Sequence, residues 1–327
     1  MEYNSDWKSY WSQLLETKKL EHYVSVMNQV DDALGHEIHI EEICHKIYED
    51  YRISWQSHLE DVRINFLKIM EGIESVHLQT SRVKSVDSLL EKVITKRYTF
   101  LRDKSSVYSK IDGANYKDII TDLIGVRIIL NFRGNWKEIH EEILGEFPYE
   151  KELFENDKNK EMTLPHSGKN RLVQTPKVYY AQGDNIEEYS QYGLNTELRK
   201  KGYRSIHYVI SYQSVYIELQ VRTIYDEAWS DCDHRYVYKH NQNKSHSALE
   251  KMSELLCQMT NLSNDWGDNI KYAFDTESFE DTGRGTWIAD SVAVNVLQDA
   301  QDRLKKICNE VEAFRSRLEH KTTEGEP

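Results

Sequence analysis

Residues 215–223 read VYIELQVRT. Alternate side chains of a strand leave on opposite faces, so Val215, Ile217, Leu219 and Val221 form an apolar face and Tyr216, Glu218, Gln220 and Arg222 the other. A carboxylate, an amide and a guanidinium then stand in a row, each about 7 Å from the next. A half-solvated antiparallel strand that merely turns its polar side to water would alternate in the same way. The neighbouring segments decide between a solvated face and a working one.

KGYRSIHYVISY (201–212) is a second strand, joined to the first by a short connection around Gln213. VRIIL, at the end of ITDLIGVRIIL (120–130), and KVYYA (177–181) read as further strands. WKEIHEEIL (136–144) and TIYDEAWSDCDHRYVYKH (223–240) read as helices, with another near 248–262. From Trp55, the apolar positions Leu59, Val62, Phe66, Ile69, Ile73 and Val76 predict one long amphipathic helix. In the last helix Leu297, Ala300, Leu304, Ile307, Val311, Phe314 and Leu318 keep a three-four spacing that suits packing on the body or on a second subunit. The expected class is α+β, with a small mixed sheet flanked by helices. A helical N-terminal arm is expected over 1–78, a central domain over 79–245 with a long insertion at about 145–200, and a helical C-terminal region over 246–327.

The composition of the 327 residues, 39% hydrophobic and 30% charged with four prolines, fits a soluble, helix-rich globule. No apolar run approaches about 18 residues and no basic-then-apolar leader is present, which predicts a cytoplasmic protein without a membrane span. Cys44, Cys232, Cys257 and Cys308 form no CxxC pair, so reduced thiols are expected, and the spacing of Cys232, His234 and His240 matches no zinc-ligand pattern. The net charge of −13 argues against indiscriminate nucleic-acid binding, so any polyanion must meet a local basic patch.

Three clusters supply such chemistry. RVKS places Arg82 and Lys84 just before a helix start, with Ser85 as N-cap and Asp87 in the first turn, and Ser88, Lys92 and Lys96 on one helix face; this suits a polyphosphate, as it would a solvated basic face. Asp122, at the entry to the VRIIL strand, would hold Mg²⁺ together with Glu218 on a neighbouring strand, or else be a turn aspartate. LRKKGYRSIH (198–207) gathers Arg199, Lys200, Lys201 and Arg204 around Gly202 and Tyr203, a ring on which a base can stack, with His207 placed to donate to a phosphate.

In this order RVKSxxSLxxK, TDLIGVR, GYRSIH and ELQVRTxxxxAWSDxDHRxxYK resemble the synthetase domain of the RelA/SpoT alarmone synthetases, over about residues 80–240. The resemblance implies a mixed sheet of nucleotidyltransferase-like type and transfer of the β,γ-diphosphate of ATP to a ribose 3′-hydroxyl, with release of AMP. It implies that Arg82, Lys84, Ser85, Ser88 and Lys92 bind ATP, with the arginine stacking on adenine. Asp122 and Glu218 would bind Mg²⁺, Glu218 also being the candidate base. Arg199, Lys201, Tyr203, His207, Gln220 and Arg222 would serve the acceptor, with Tyr203 stacking on its base. GDP or GTP is the leading acceptor; the tRNA 3′ end, in a growth-arresting toxin, and adenine nucleotides are the alternatives, and an inactive nucleotide-sensing scaffold is the reading from another class. Lys201 stands where guanine-specific members often carry Asn, and Lys158, Lys160, Lys169 and Arg171 would suit a larger acceptor. No His-Asp dipeptide occurs, so a synthesis-only enzyme is expected. A homo-oligomer through the helical arms and a neutralising antitoxin or regulator both stay open.

Overall fold

The computed structural model describes residues 5–34, 39–103, 105–149, 168–238, 247–279 and 285–323. The chain opens with α1 (Ser5–Lys18), α2 (Glu21–Leu34) and α3 (Ile40–Asp50), the last continuing through a π-helical turn (Tyr51–Trp55) into α4 (Gln56–Met70). β1 (Val76–Val83), α5 (Val86–Thr99), the single turn α6 (Tyr116–Ile119), β2 (Ile124–Leu130) and α7 (Trp136–Glu146) follow. Then come β3 (Arg171–Leu172), β4 (Lys177–Tyr180), α8 (Glu187–Gln191), β5 (Asn195–Leu198), β6 (Ser205–Tyr212), β7 (Val215–Thr223) and α9 (Ile224–Cys232). Two long helices, α10 (Ser247–Phe279) and α11 (Gly285–Thr323), complete the described chain, and no described helix is long and apolar enough to cross a membrane.

The strands form one mixed sheet in the order β1-β2-β7-β6-β4-β5, with β3 also on β6. β7 lies at its centre, parallel to β2 and antiparallel to β6. Gln213 and Ser214 join β6 to β7 with φ of 49° and 60°, the doubly left-handed turn whose twist matches a two-residue hairpin. Register is thereby fixed on both sides of β7, and its alternation has one outcome. Leu219 and Val221 are buried with Val126 and Ile128 of β2 and Ile206 and Tyr208 of β6, while Glu218 and Gln220 stay part-exposed on the opposite face. The fold is α+β, with helices at both ends of the chain around this sheet, as expected.

The N-terminal helices share the core of the sheet. Trp7, Trp11, Ile47 and Phe66 belong to the same buried cluster as Leu89 and Val93 of α5, Ile139 of α7 and the apolar strand residues. Each large aliphatic or aromatic side chain buried there contributes about 1.5–3 kcal/mol. Tyr51 fixes the junction by donating its hydroxyl to the Lys84 carbonyl at 2.5 Å.

Three expectations need correction. The long helix expected from Trp55 to Val76 ends at Met70, because Glu71 turns extended (ψ 139°) and Gly72 adopts φ +89°; Val76 instead opens β1, an edge strand with too little alternation to be read from sequence. The helix near 248–262 runs on to Phe279. The seam of the last helix divides, with Ala300 and Ile307 buried and Leu297, Leu304, Val311 and Leu318 exposed.

Phe66 is fully buried, with ring centroids of Phe147 and Tyr212 at 5.5 and 5.6 Å. Phe66→Ala is expected to destabilise the whole molecule by about 3–5 kcal/mol. Denaturation followed by circular dichroism should show one transition at lower denaturant; a separate early transition with the main one unmoved would contradict a shared core.

Candidate functional site

Register brings the predicted charged residues into two rows on one sheet face. Arg82 of β1 pairs with Gly125 of β2, which pairs with Glu218 of β7. In the next row Thr80, Arg127, Gln220, His207 and Lys177 follow one another across five strands. Gly125 carries no side chain between Arg82 and Glu218, and a Cβ there would lie 3.9 Å from Arg82 Cγ. A cavity of about 110 Å³ results, lined by Thr80, Arg82, Asp122, Gly125, Arg127, Glu218 and Gln220.

Asp122 reaches this cavity from the turn before β2. Its Oδ2 lies 3.0 Å from Lys84 Nζ and 2.9 Å from Lys92 Nζ, so one carboxylate oxygen neutralises a lysine from the end of β1 and another from α5. The Lys84 amide also donates to the Leu123 carbonyl at 2.8 Å, which fixes the approach of the two segments. Asp122 Oδ1 is buried without a hydrogen-bond partner. Ser85 caps α5, accepting from the Ser88 amide at 3.3 Å, with the two hydroxyls 2.9 Å apart. Lys96 points elsewhere, over the rings of Phe100 and Tyr108 at 5.9 and 5.1 Å.

Several of the residues expected to serve the acceptor form a ring of polar contacts with Glu218. Tyr203 Oη lies 2.9 Å from His207 Nε2, and His207 Nδ1 lies 3.5 Å from Glu218 Oε1. Gln220 donates to Glu218 Oε2 at 2.9 Å and accepts from Arg222, which also donates to Tyr203 Oη at 3.2 Å. Burial opposes charge on Glu218, but the contact and charge of His207, the Gln220 amide and the nearby Lys92 outweigh it and lower its pKa to about 2. The carboxylate is therefore anionic at every physiological pH. Arg222 is itself buried, its guanidinium 5.3 Å from the Tyr203 ring and paired with Glu227 at 3.2 Å. Burial raises the Tyr203 pKa, so its hydroxyl stays neutral.

Not every predicted residue joins this ring. Arg199 lies over the Tyr179 ring at 4.3 Å and pairs with Glu197 at 2.9 Å. Lys201 turns away from Tyr203 towards Glu250 of α10, at 3.9 Å. Gly202 admits a helix: it has φ +88°, and a Cβ there would sit 2.3 Å from Cys257 Sγ of α10. Arg204 is held by Asp184 at 2.8 and 2.9 Å and is structural. Lys158, Lys160 and His240 lie outside the described residues. Sequence reasoning missed Arg127, which shares the cavity and pairs with Glu227 at 2.9 Å, and Tyr179, whose ring meets His207 edge-on at 4.7 Å. The signal for Arg127 was its even spacing from Gly125 within an otherwise apolar strand.

The donor set fits a hard divalent cation. Asp122 and Glu218 offer carboxylate oxygens to one cavity, one of them unpartnered, and Mg²⁺ typically takes one or two protein carboxylates and completes its shell with water and phosphate oxygens. Among the described residues no group of three or more His, Cys, Asp or Glu side chains could form a fully protein-built metal cage.

Comparison with known proteins follows the same lines. Residues 81–243 match the model of the region found in RelA / SpoT proteins. No curated protein matches the chain. Among solved structures, the small alarmone synthetase 1 from Bacillus subtilis is 18% identical, with 70% of this chain and 97% of that one covered and a TM-score of 0.44. The small alarmone synthetase 2 from the same organism is 20% identical, covering 68% and 98%, with a TM-score of 0.40. A GTP pyrophosphokinase family protein from Streptococcus pneumoniae is 16% identical, covering 76% and 94%, with a TM-score of 0.38. At these identities and scores the three structures add nothing to the family match. Residues 81–243, which carry Arg82, Arg127, Glu218, Gln220 and His207 of the charged sheet face, form a domain similar to the region found in RelA / SpoT proteins.

Proposed function

We propose that the protein is a Mg²⁺-dependent ATP:nucleotide 3′-pyrophosphokinase that moves the β,γ-diphosphate of ATP to the 3′-hydroxyl of GDP or GTP and releases AMP. The observation that carries this reading is the meeting of Asp122, Glu218, Arg82, Lys84 and Lys92 around one cavity on a rigid sheet face. Phosphoryl-type transfer asks a protein mainly for positioning and charge neutralisation, and this constellation supplies both. Arg82, Lys84 and Lys92 are the ATP-side cations, and Ser85 and Ser88 order the start of α5 beside them. Tyr203, His207, Gln220 and Arg222 orient the acceptor.

Asp122 and Glu218 would hold the Mg²⁺, which would screen the phosphate charge. Glu218 suits that role better than the role of base. A general base works best with a pKa near the operating pH, and a carboxylate near 2 holds its proton too weakly. Lys84 and Lys92 already hold Asp122 Oδ2, which keeps the carboxylate aimed at the cavity.

A second reading, in which the acceptor is the 3′ end of an RNA, has one observation in its favour. A groove of about 1060 Å³ runs between the 200–204 loop and the two C-terminal helices, lined by seven basic side chains, Lys200, Lys201, Lys306 and Arg317 among them, against the three carboxylates of Asp233, Glu250 and Glu254. In a chain of net charge −13 this local cationic wall suits a polyanion larger than a mononucleotide.

Glu218→Gln should lower AMP formation from ATP by about 10²–10³-fold, the loss typical of removing one preorganised electrostatic group, with the circular dichroism spectrum unchanged; residual turnover near wild type would remove Glu218 from the reaction. Tyr203→Ala should raise the acceptor KM by about tenfold, from lost stacking, and leave the ATP KM nearly unmoved. Equal changes in both would remove that tyrosine from the acceptor site. Lys306→Glu with Arg317→Glu should leave GDP use intact; a selective loss of RNA labelling would favour the second reading.

A further inference from the structure

The apolar face of the sheet, opposite the charged rows, is not covered evenly. Where α7, the 182–189 segment and α10 converge on it they leave a cavity of about 470 Å³, within the roughly 300–1,000 Å³ of small-molecule sites. Its floor is the row Val221, Ile206 and Val178 across β7, β6 and β4, with Leu130 at the end of β2. Trp136 and Tyr189 form one wall, their ring centroids 4.5 Å apart. Of the ring around Glu218 only Arg222 belongs to the lining, so the cavity is separate from the candidate active site.

The lining carries five carboxylates and four guanidiniums, and the pairing among them is incomplete. Arg204 is spent on Asp184 at 2.8 Å, and Arg133 and Arg303 share Asp265 at 3.3 and 2.5 Å. Arg222 pairs with Glu227 outside the cavity at 3.2 Å, and Glu188 on the rim pairs with Lys137 at 3.1 Å. Two carboxylates are left with neutral donors. Asp226 accepts from Asn264 at 3.0 Å and from the Thr223 hydroxyl at 2.8 Å, and Asp268 accepts from the Gly134 amide at 3.1 Å. Neither forms an ion pair among the described residues, and burial raises the pKa of Asp268. Withdrawing a carboxylate from water without a counter-ion costs free energy that a bound cation would return. The aromatic wall attracts the same sign of charge.

We infer that this cavity binds a small organic cation, a protonated amine, amidine or guanidine on a flat or apolar body, with its charge on Asp268 and its body against Trp136, Tyr189 and the apolar floor. A neutral ring would fill the floor but leave both carboxylates unmatched, and an anion would be repelled by them. The inference is independent of the activity proposed above.

The test uses the full chain and benzamidine, whose planar amidinium on an apolar ring has this chemistry, with neutral benzamide of nearly the same shape as control. Calorimetric titration should give one saturable site for benzamidine with a Kd of about 0.1–1 mM, ordinary for so small a ligand, and benzamide should bind at least about tenfold more weakly. Asp268→Asn, which keeps the size of the side chain, should weaken benzamidine by about tenfold or more and leave the melting transition no lower than that of the wild type. Tyr189→Leu, which removes the ring and keeps an apolar side chain, should weaken it several-fold, a readout that survives any misfolding of the Asp268 variant. Absence of saturable benzamidine binding overturns the inference, and so does equal binding of benzamide. Binding undiminished in folded Asp268→Asn also overturns it, since the ligand would then sit elsewhere.

Discussion

The structure depends on the register of β7. Because side chains alternate along a strand, a slip of one residue would carry Glu218, Gln220 and Arg222 into the core and turn Leu219 and Val221 outward. Two pairings prevent the slip. The tight left-handed turn at Gln213 and Ser214 sets β7 against β6, and the parallel ladder aligns Gly125 with Glu218. Parallel pairing normally asks for burial on both faces, yet here one face of β2 and β7 is charged. That face is left to Arg82, Asp122, Arg127, Glu218 and Gln220, and the ion pairs among them and their neighbours make it tenable.

Charge compensation at this face is local and mutual. Asp122 neutralises Lys84 and Lys92, while Glu227 bridges Arg127 and Arg222. Each buried or half-buried ion has a partner, so removing one member would strand the other at a cost of several kcal/mol. The C-terminal helix α10 enters the same economy from behind. Its Cys257 fills the space that Gly202 leaves and its Asn264 donates to Asp226, whose amide donates to Thr223, the N-cap of α9. The loop that carries Tyr203 is thus fixed by α10.

Much of this was legible in the residues. The alternation of VYIELQVRT placed the charged face, Ser85 read as an N-cap, and Asp122, at the entry to one strand, could be paired with Glu218 on a neighbouring one. Position across the sheet was harder to read. Arg127 sits inside VRIIL, whose β-branched neighbours mask it, and only the pairing of β2 with β7 shows that it shares a side with Glu218. Lys201 was grouped with the acceptor cluster by its closeness to Tyr203 in sequence, and its ammonium lies 3.9 Å from Glu250 of α10, a contact that sequence does not record. Gly202 leaves room for a helix about fifty residues later, a contact no local pattern records. β1 escaped because an edge strand with one solvated side and a bulge shows weak alternation.

The central claim is that the charged face transfers a diphosphate as one unit. ATP labelled at both the β- and γ-phosphorus, incubated with the protein, Mg²⁺ and GDP, tests it most directly. The account predicts that both labels move together to the acceptor and that one unlabelled AMP appears for each product formed. Release of β-labelled ADP, with the γ label alone transferred to the acceptor or to water, would contradict it.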